Sequence, residues 1–341
     1  MAFGFSIITG KTIDRLVQAR LPEIVRLTEA AYLAHGRGDS INPNSYFLRF
    51  PQKPNSRIIA LPAYLGGETN SSGIKWIASY PDNVQRGFPR ASAVLILNDY
   101  ETGYPFACLE SSIISAARTA ASAVLAAEHL SKHSPGGQRK ARTLGIVGNG
   151  IISKYIYQFL LGTGWEVDTV RLFDLNAADA ERFKSSTCQQ DRHRAIVVDP
   201  NVETLLRASD VIVFATTAGT PHLSDPALFS HNPLVLHVSL RDLSPEIILA
   251  SHNVVDDVGH VMNANTSVHL TEQRTGNRDF VTGTLAQIIT QERKVDGSRP
   301  IVFSPFGLGV LDLAVGKWVY DQARASGEAI DVPDFFHELT R

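Results

Sequence analysis

Four basic side chains in the first part of the chain lie on otherwise apolar stretches: Arg57, Lys75, Arg90 and Arg118. Burying an unpaired cation is costly, so each of these groups must bind an anion or reach water. Because arginine binds a carboxylate through two parallel hydrogen bonds, the set predicts a substrate that carries several carboxylates. Two alternatives stay open. Arg118 forms an internal ion pair, or Lys75 and Arg57 are edge-strand charges that limit aggregation.

A second group of residues is typical of nucleotide binding. The apolar run 144–147 leads into Gly148-Asn149-Gly150-Ile151-Ile152-Ser153, which has the form G-x-G-x-x-S, and a helical pattern follows. Gly148 permits a tight turn, Gly150 lets the backbone approach a pyrophosphate, and the small Ser153 allows close packing of helix on strand. The N–H groups of the helix N-terminus then face the phosphates. A simple glycine turn is the alternative.

Later strand ends supply further candidates for contacts with a dinucleotide. Asp174 ends the second predicted strand, where a carboxylate binds ribose hydroxyls, and no Arg follows until position 182, which favours NAD over NADP. Ligands of open α/β sheets bind beyond the carboxyl ends of the strands, so Thr216, Thr217 and Ser239 are also predicted to contact the cofactor. The alternatives are a hydroxyl-capped loop at Thr216 and Thr217, and a helix cap at Asp242.

The elements that carry these groups follow two patterns. After a first helix, which Pro22 opens, strand-like runs at 57–65, 73–79 and 93–98 predict an antiparallel or mixed sheet. Between residues 143 and 255, strand and helix patterns alternate, which predicts a doubly wound parallel sheet of the Rossmann type. We therefore expect an α/β protein in which this sheet is joined to a second domain of the α+β class.

Two long helices flank the alternating segment. One is predicted at 110–130 and is followed by the linker candidate Pro135-Gly136-Gly137, and the other is predicted at 311–325. We expect the last helix to pack on the N-terminal half. The predicted domains are therefore residues 1–130 with 304–341, for substrate binding, and residues 131–303, for the dinucleotide.

Composition excludes several classes of protein. The 341 residues carry 32 Lys and Arg against 34 Asp and Glu, so no general affinity for nucleic acid or anionic membranes is indicated. The two cysteines, Cys108 and Cys188, do not make a disulfide framework, and no spacing of Cys or His predicts a metal site. His237 lies inside a predicted strand and is expected to be a core histidine. Without a signal-peptide pattern, we expect a cytoplasmic protein.

Further short motifs accompany these residues. They are Arg57-Ile-Ile-Ala-Leu-Pro62, Gly73-Ile-Lys-Trp76, Leu97-Asn-Asp99 with Thr102-Gly-Tyr-Pro105, and Arg118-Thr-Ala-Ala121 ahead of the glycine turn. With this set the chain resembles the ornithine cyclodeaminase/μ-crystallin family over nearly its whole length. Arg90-Ala-Ser92, Glu110-x-Ser112-x-Ile114-Ser115 and Val255-Asp-Asp257 are most similar to the branch that makes L-2,3-diaminopropionate for siderophores and peptide antibiotics.

The resemblance implies a homodimer whose N-terminal domains supply the dimer contacts, a Rossmann domain that binds NAD, and a substrate cleft between the domains. Lys75 and Arg57 would hold substrate carboxylate, as would Arg90, while Arg118 would bind carboxylate or cofactor phosphate. Asp242 would be the acid/base group, with Lys75 as a second catalytic residue. Two departures stand out: Arg241 where an apolar residue is expected, and Gly309-Val-Leu-Asp312 in place of a more acidic stretch. No substrate role is therefore assigned to Asp312.

The reaction implied is the NAD-dependent oxidative cleavage of N-[(2S)-2-amino-2-carboxyethyl]-L-glutamate to L-2,3-diaminopropionate and 2-oxoglutarate. One alternative is an ornithine or lysine cyclodeaminase. Its substrate has a single carboxylate, so its site needs fewer arginines, and the presence of Arg90 favours the first reaction. A ketimine reductase that uses NADPH is disfavoured by Asp174. A non-catalytic, crystallin-like protein that binds NAD(P) is the alternative of another class, and the presence of both Lys75 and Asp242 argues against it.

Overall fold

The computed structural model describes residues 4–131 and 139–337. The chain forms two compact units, one of residues Met1–Arg118 with Leu308–Arg341 and one of residues Thr119–Gly307. The division falls inside the long helix Ser112–Leu130, whereas the predicted domain boundary lies at the end of that helix. The predicted linker Pro135-Gly136-Gly137 lies outside the described residues.

The first unit is built on a mixed sheet of eight strands. Their bounds are β1 (Phe5–Ile8), β2 (Ser40–Ile41), β3 (Tyr46–Phe50), β4 (Lys53–Leu65), β5 (Ser71–Ser79), β6 (Ala91–Asn98), β7 (Pro105–Glu110) and β16 (Ile330–Val332). The order is β16-β1-β7-β6-β5-β4-β2, with β3 also paired to β4. The pair β1 and β7 is parallel and the other pairs are antiparallel, so the predicted mixed sheet is confirmed.

Helices cover one face of this sheet. They are α1 (Gly10–Gln18), α2 (Leu21–Gly36), the first part of α3 (Ser112–Leu130) and α11 (Gly309–Ala325). Pro22 lies in the first turn of α2, where its missing N–H costs nothing, as predicted. The last helix, α11, packs against β4, β5, β6 and α2, so it does pack on elements of the N-terminal half.

The second unit is a doubly wound parallel sheet, which confirms the predicted fold class. Its strands are β8 (Lys140–Val147), β9 (Glu166–Phe173), β10 (Ala195–Val198), β11 (Val211–Phe214), β12 (Leu234–His237), β13 (His252–Val255), β14 (Val281–Thr284) and β15 (Ile301–Ser304). Its helices are α4 (Ile151–Gly162), α5 (Ala177–Ser186), α6 (Val202–Ala208), α7 (Pro245–Leu249), α8 (Val258–Val261), α9 (Ser267–Thr275) and α10 (Leu285–Ile289).

Strand order in this sheet determines where a ligand binds. The order is β10-β9-β8-β11-β12-β15-β13-β14, so the chain winds in opposite directions from β8 and from its neighbour β11. Ligands of such sheets bind where this reversal occurs, beyond the carboxyl ends of the strands. The glycine turn follows β8 at this point, and Thr216 comes two residues after β11. Among the described residues, no helix combines the length and apolar composition needed to cross a membrane.

Candidate active site

The turn after β8 has the backbone that its glycines predict. Gly148 has a φ of +84°, and a Cβ there would lie 2.7 Å from the carbonyl oxygen of Ala215, so glycine is required. Gly150 precedes the first residue of α4, and a Cβ added to it would meet no atom within 4 Å. The turn therefore leaves space at the N-terminus of α4, where free backbone N–H groups favour an anion.

Two polar side chains hold this turn in place. Ser153 is buried, and its hydroxyl donates to the carbonyl oxygen of Gly148 at 2.5 Å. Asp174 follows β9 directly, and its carboxylate accepts hydrogen bonds from the N–H of Asn149 at 2.8 Å and of Asn176 at 3.0 Å. The predicted ribose-binding carboxylate thus lies beside the predicted phosphate-binding turn, and the arrangement fits a dinucleotide.

The other predicted cofactor contacts differ in exposure. Ile151 is exposed at the start of α4 and Ile152 is partly buried. Thr217 is exposed. Thr216 and Ser239 are partly buried, and their hydroxyls donate to a carboxylate of this chain, that of Asp242. The hydroxyls of Thr216 and Ser239, which were predicted to contact the cofactor, therefore bind Asp242 in this structure.

Asp242 is the centre of a hydrogen-bond network beyond the ends of β11 and β12. Its carboxylate has no solvent exposure. Oδ1 accepts from the Thr216 hydroxyl at 2.5 Å and lies 3.1 Å from Nε2 of His222. Oδ2 accepts from the Ser239 hydroxyl and lies 3.2 Å from Nε2 of His237. The predicted acid/base residue is thus surrounded by four side chains of its own unit.

These contacts determine the charge of Asp242. Burial alone would raise the pKa of its carboxyl group, but hydrogen bonds from His237, Ser239 and Thr216 and the charge of His237 hold that pKa well below its usual range. Asp242 is therefore an anion at neutral pH. The alternative of a helix cap is wrong, because Ser244 is the N-cap residue of α7 and the Asp242 carboxylate binds the network.

The turn after β12 brings the hydroxyl of Ser239 into contact with the carboxylate of Asp242, three residues later in the chain. Leu240 between them has a φ of +70°, a conformation that a branched side chain adopts only where its surroundings enforce it. Arg241, the departure noted in the sequence, donates from Nε and Nη2 to the carbonyl oxygen of Ala264 at 3.1 and 2.8 Å. Its guanidinium is therefore held by backbone, and it makes no ion pair with Asp242 in the described residues.

Two histidines of this network did not follow from the sequence. His237 is fully buried, as expected, but its Nε2 faces Asp242 and its Nδ1 lies 3.3 Å from the Ser304 hydroxyl. His222 was not among the predicted site residues. It stands in a loop after β11, and the only signal available was its position shortly after the Thr216-Thr217 pair at a strand end.

In the first unit, Lys75 and Arg118 share one buried carboxylate. Lys75 Nζ lies 2.6 Å from Oδ2 of Asp312 and 3.3 Å from the Ser115 hydroxyl. Nε of Arg118 lies 3.2 Å from Oδ1 of Asp312. Lys75 is 2% exposed and Asp312 is completely buried. Arg118 therefore forms the internal ion pair that was left open, and Asp312, to which no role was assigned, is the residue that joins the two cations.

Burial and charge act against each other at Lys75. Burial lowers the pKa of Lys75 to about 8, the charge of Arg118 acts in the same direction, and Asp312 opposes both. Lys75 is not an edge-strand charge, because β5 pairs with β4 on one side and with β6 on the other. The same holds for Arg57, which pairs with β3 and β5. The edge-strand alternative is therefore wrong for both residues.

Arg57 and Arg90 lie on the same sheet face as Lys75. Directly opposite residues of an antiparallel pair point to one face, and the pattern repeats every two residues. Arg57 is opposite Ser79, which is four residues from Lys75. Arg90 precedes β6, and its Nη1 donates to the Ser79 hydroxyl at 2.8 Å. The four predicted cations of the first unit therefore approach one face, with Ser79 between two of them.

Comparison with known proteins gives the family. The family model for the ornithine cyclodeaminase/mu-crystallin family matches residues 12–327. The chain belongs to this family. It is 31% identical over 308 residues to the N-((2S)-2-amino-2-carboxyethyl)-L-glutamate dehydrogenase of Staphylococcus aureus, covering 87% of this chain and 89% of that protein. The resemblance predicted from the short motifs is confirmed.

Solved structures with this fold superpose over nearly the whole chain. The Thermococcus litoralis Delta(1)-pyrroline-2-carboxylate reductase in complex with NADH and L-proline has a TM-score of 0.87 at 22% identity, covering 96% of this chain and 100% of that one. An archaeal alanine dehydrogenase dimer with bound NAD has a TM-score of 0.84 at 24% identity, covering 97% and 100%. These likenesses establish the fold of this family member. Within residues 4–131 and 139–337, no three metal-ligating side chains cluster.

Proposed function

We propose that this family member is an NAD-dependent oxidoreductase that acts on the CH–NH bond of an amino acid conjugate. The substrate is N-[(2S)-2-amino-2-carboxyethyl]-L-glutamate and the products are L-2,3-diaminopropionate and 2-oxoglutarate. NAD, when bound, accepts the hydride released from the substrate. In this chain, Gly148, Gly150 and the N-terminus of α4 would hold its pyrophosphate and Asp174 its ribose.

The observation that carries this choice of substrate is the group of cations on one sheet face. The conjugate has three carboxylates, and each favours a guanidinium or an ammonium group. We infer that Lys75 and Arg118, held by Asp312, bind one end of the substrate and that Arg57 and Arg90 bind the other. The relative in Staphylococcus aureus, whose name gives this substrate, supports the same choice.

The Asp242 centre would move the protons. After hydride leaves the glutamate α-carbon, the amine gives up its N–H proton and a C=N bond forms. Water then adds to that carbon, and its proton is taken up by the same centre. The C–N bond breaks as the leaving amine receives a proton, which gives the two products. Proton transfer of this kind contributes about 10²- to 10⁴-fold to the rate.

Mass spectrometry of the products tests the proposal. The synthetic conjugate and NAD⁺ are incubated with the protein, with ornithine and lysine in parallel reactions. We expect 2-oxoglutarate and L-2,3-diaminopropionate in equal amounts, together with NADH. Release of ammonia from ornithine or lysine, with no reaction of the conjugate, would instead assign the protein to the cyclodeaminases. No reduced cofactor from any of them would favour a binding protein without catalysis.

We also infer that two chains associate through the uncovered face of the first sheet. Tyr46, Ala60, Trp76 and Val94 lie opposite one another on four adjacent strands, on the face that α11 does not cover. Trp76 is 40% exposed and Tyr46 is 70% exposed. Exposed apolar faces of this kind favour association, and the alanine dehydrogenase structure with this fold is a dimer. Sedimentation should give a dimer, and Trp76→Glu should shift it to a monomer.

The proposed compartment is the reducing cytoplasm. Cys108 and Cys188 are both free thiols. Cys188 is buried, and burial raises the pKa of its thiol to about 12, so it is a poor nucleophile toward oxidants. This arrangement needs no disulfide for stability, which is consistent with an intracellular enzyme.

A further inference from the structure

The Asp242 carboxylate is poorly placed to meet a substrate itself. It is completely buried, and each of its oxygens already contacts one hydroxyl and one imidazole: Thr216 and His222 on Oδ1, Ser239 and His237 on Oδ2. Complete burial and these contacts leave no side of the carboxylate open to a substrate. Its low pKa also makes it a weak base. A proton must therefore pass through a group that joins Asp242 to the outside.

Among the residues that the structure describes, one neighbour of Asp242 in the network is both titratable and exposed. The His222 side chain is 44% exposed, whereas His237 is 0% exposed. The hydroxyls of Thr216 and Ser239 donate to Asp242, and a neutral hydroxyl is a far weaker base than imidazole. His222 is thus the group of this network that combines contact with the carboxylate and access from solvent.

The geometry also selects the tautomer of His222. Its Nε2 lies 3.1 Å from Oδ1 of Asp242, and because a carboxylate only accepts, Nε2 carries the proton and donates it. Nδ1 is then the free lone pair, and no residue of the described part of the chain makes a hydrogen bond to it. A buried carboxylate that orients an imidazole and stabilises its protonated form is a well-established acid/base pair.

The loop that carries His222 is fixed to the strand end of Asp242. The N–H groups of His222 and Leu223 both donate to the carbonyl oxygen of Asp242, at 3.1 and 3.0 Å. Leu223 and Leu243 then form a parallel bridge. The imidazole and the carboxylate are therefore positioned by backbone contacts as well as by their own hydrogen bond, which keeps the pair preorganised.

We propose that His222 is the proton-exchanging catalytic residue of the reaction described above and that Asp242 is the buried carboxylate that positions it. The inference rests on the proposed function. When hydride leaves the substrate, Nδ1 of His222 takes the amine N–H proton while the nitrogen electron pair forms the C=N bond. The imidazolium releases that proton to solvent before hydrolysis, in which the imidazole carries the two protons of the attacking water to the departing amine nitrogen. Each turnover therefore releases one proton together with the reduced cofactor.

Kinetics of matched histidine variants provide the first test. His222→Gln should lower turnover of the conjugate by about 10²- to 10⁴-fold while the affinity for NAD stays unchanged. The control is His252→Gln, because His252 Nε2 lies 3.1 Å from Oδ1 of Asp296 and so forms a similar pair outside the proposed site. It should keep the wild-type rate. A His222→Gln variant as active as the wild type would overturn the proposal.

Chemical rescue separates catalysis from structure. Adding imidazole to His222→Ala should restore part of the turnover in proportion to the imidazole concentration, and it should not affect His252→Ala. A residue needed only for folding gives no such rescue, so a folded, inactive variant that imidazole does not rescue contradicts the assignment.

A measurement without turnover distinguishes failure of this inference from failure of the proposed function. Protein labelled with ¹⁵N-histidine is compared with Asp242→Asn, and the His222 signals are assigned by their loss in His222→Gln. Neutral His222 should be held as the Nε2–H tautomer in the wild type and become a mixture of tautomers in Asp242→Asn. A wild type that leaves the conjugate unchanged refutes the reaction, whereas tautomer signals that do not respond to Asp242→Asn refute the pair.

Discussion

The carboxylates of Asp242 and Asp312, one in each unit, are both completely buried, but their partners differ. Asp312 in the first unit lies between the cations Lys75 and Arg118, so one negative charge offsets part of two positive charges. Asp242 in the second unit is held by hydroxyls and imidazoles, so hydrogen bonds replace hydration. A carboxylate paired with fixed cations positions those cations for a ligand, whereas one held by hydroxyls and imidazoles retains a negative charge that stabilises a neighbouring group when that group gains a proton.

Removing the negative charge of Asp242 should have the largest effect. Asp242→Asn keeps the shape of the side chain but removes the charge that stabilises a protonated imidazole. We expect turnover of the conjugate to fall at least about 10³-fold. NAD affinity, measured by calorimetry, should stay close to the wild-type value. Loss of NAD binding would instead make Asp242 a structural residue of the cofactor site.

Removing the ammonium group of Lys75 should affect both binding and stability. Lys75→Met leaves Asp312 with Arg118 as its cationic partner, and breaking a buried ion pair in this way costs about 3 kcal/mol of unfolding free energy. We also expect kcat/KM for the conjugate to fall at least about thirtyfold, because a charged contact with a carboxylate is worth about 2 kcal/mol or more.

A double variant separates these two effects. Lys75→Met with Asp312→Leu removes this pair and leaves Arg118, whose side chain is 11% exposed, as the remaining cation. It should therefore regain part of the stability measured by urea unfolding, since a buried ion pair is often replaceable by apolar residues. It should regain none of the activity. Recovery of kcat/KM in the double variant would show that Lys75 does not bind substrate.

Arg90 should give a smaller effect that is confined to substrate affinity. Its guanidinium contacts the Ser79 hydroxyl near the edge of the cationic face. Arg90→Gln should raise KM for the conjugate about tenfold, which corresponds to about 1.4 kcal/mol, with kcat unchanged. Arg86→Gln is the control, because Arg86 is an exposed arginine at the end of the short 3-10 helix Pro81–Arg86, which lies between β5 and β6. Equal KM values for the two variants would remove Arg90 from the substrate site.

The smallest expected effect is a shift in pH dependence. Because the pKa of Lys75 lies near 8, its cationic form is lost as pH rises through that value, and kcat/KM should fall there. Two charged groups face the Lys75 ammonium group. Asp312 forms an ion pair with it, and Arg118 binds the same carboxylate. Asp312→Asn removes the carboxylate that favours the charged form, so the fall should move to lower pH. If kcat/KM falls at the same pH in both proteins, the fall is due to a group other than Lys75.

Much of the fold follows from local sequence patterns. The glycine turn after β8 was predictable because its backbone conformation requires glycine, and the position of Asp174 was predictable because it directly follows an apolar strand. The strands β14 and β15 were not predicted, because each has only four residues, and β15 returns to pair between β12 and β13 from far along the chain. Local periodicity carries no information on such pairing.

The site was predictable where a residue type was unusual for its surroundings. Lys75 and Arg118 stood out as cations on apolar elements, but the same reasoning applies to Asp312, an acid within an apolar stretch of the last helix. That three such groups meet was visible only in the structure, since they lie on separate elements. His222 had only a weak local signal, its position shortly after the strand end at Thr216-Thr217, because its contact with Asp242 depends on the loop path after β11.

The central claim is that the hydride leaves the glutamate α-carbon of a conjugate whose carboxylates bind the cations of the first unit. The most direct measurement uses the conjugate deuterated at that carbon, in a single turnover with NAD⁺. We predict deuterium in the reduced nicotinamide and one equivalent of 2-oxoglutarate per NADH formed. Unlabelled NADH, or deuterium retained in unreacted conjugate while another amino acid reduces NAD⁺, would contradict it.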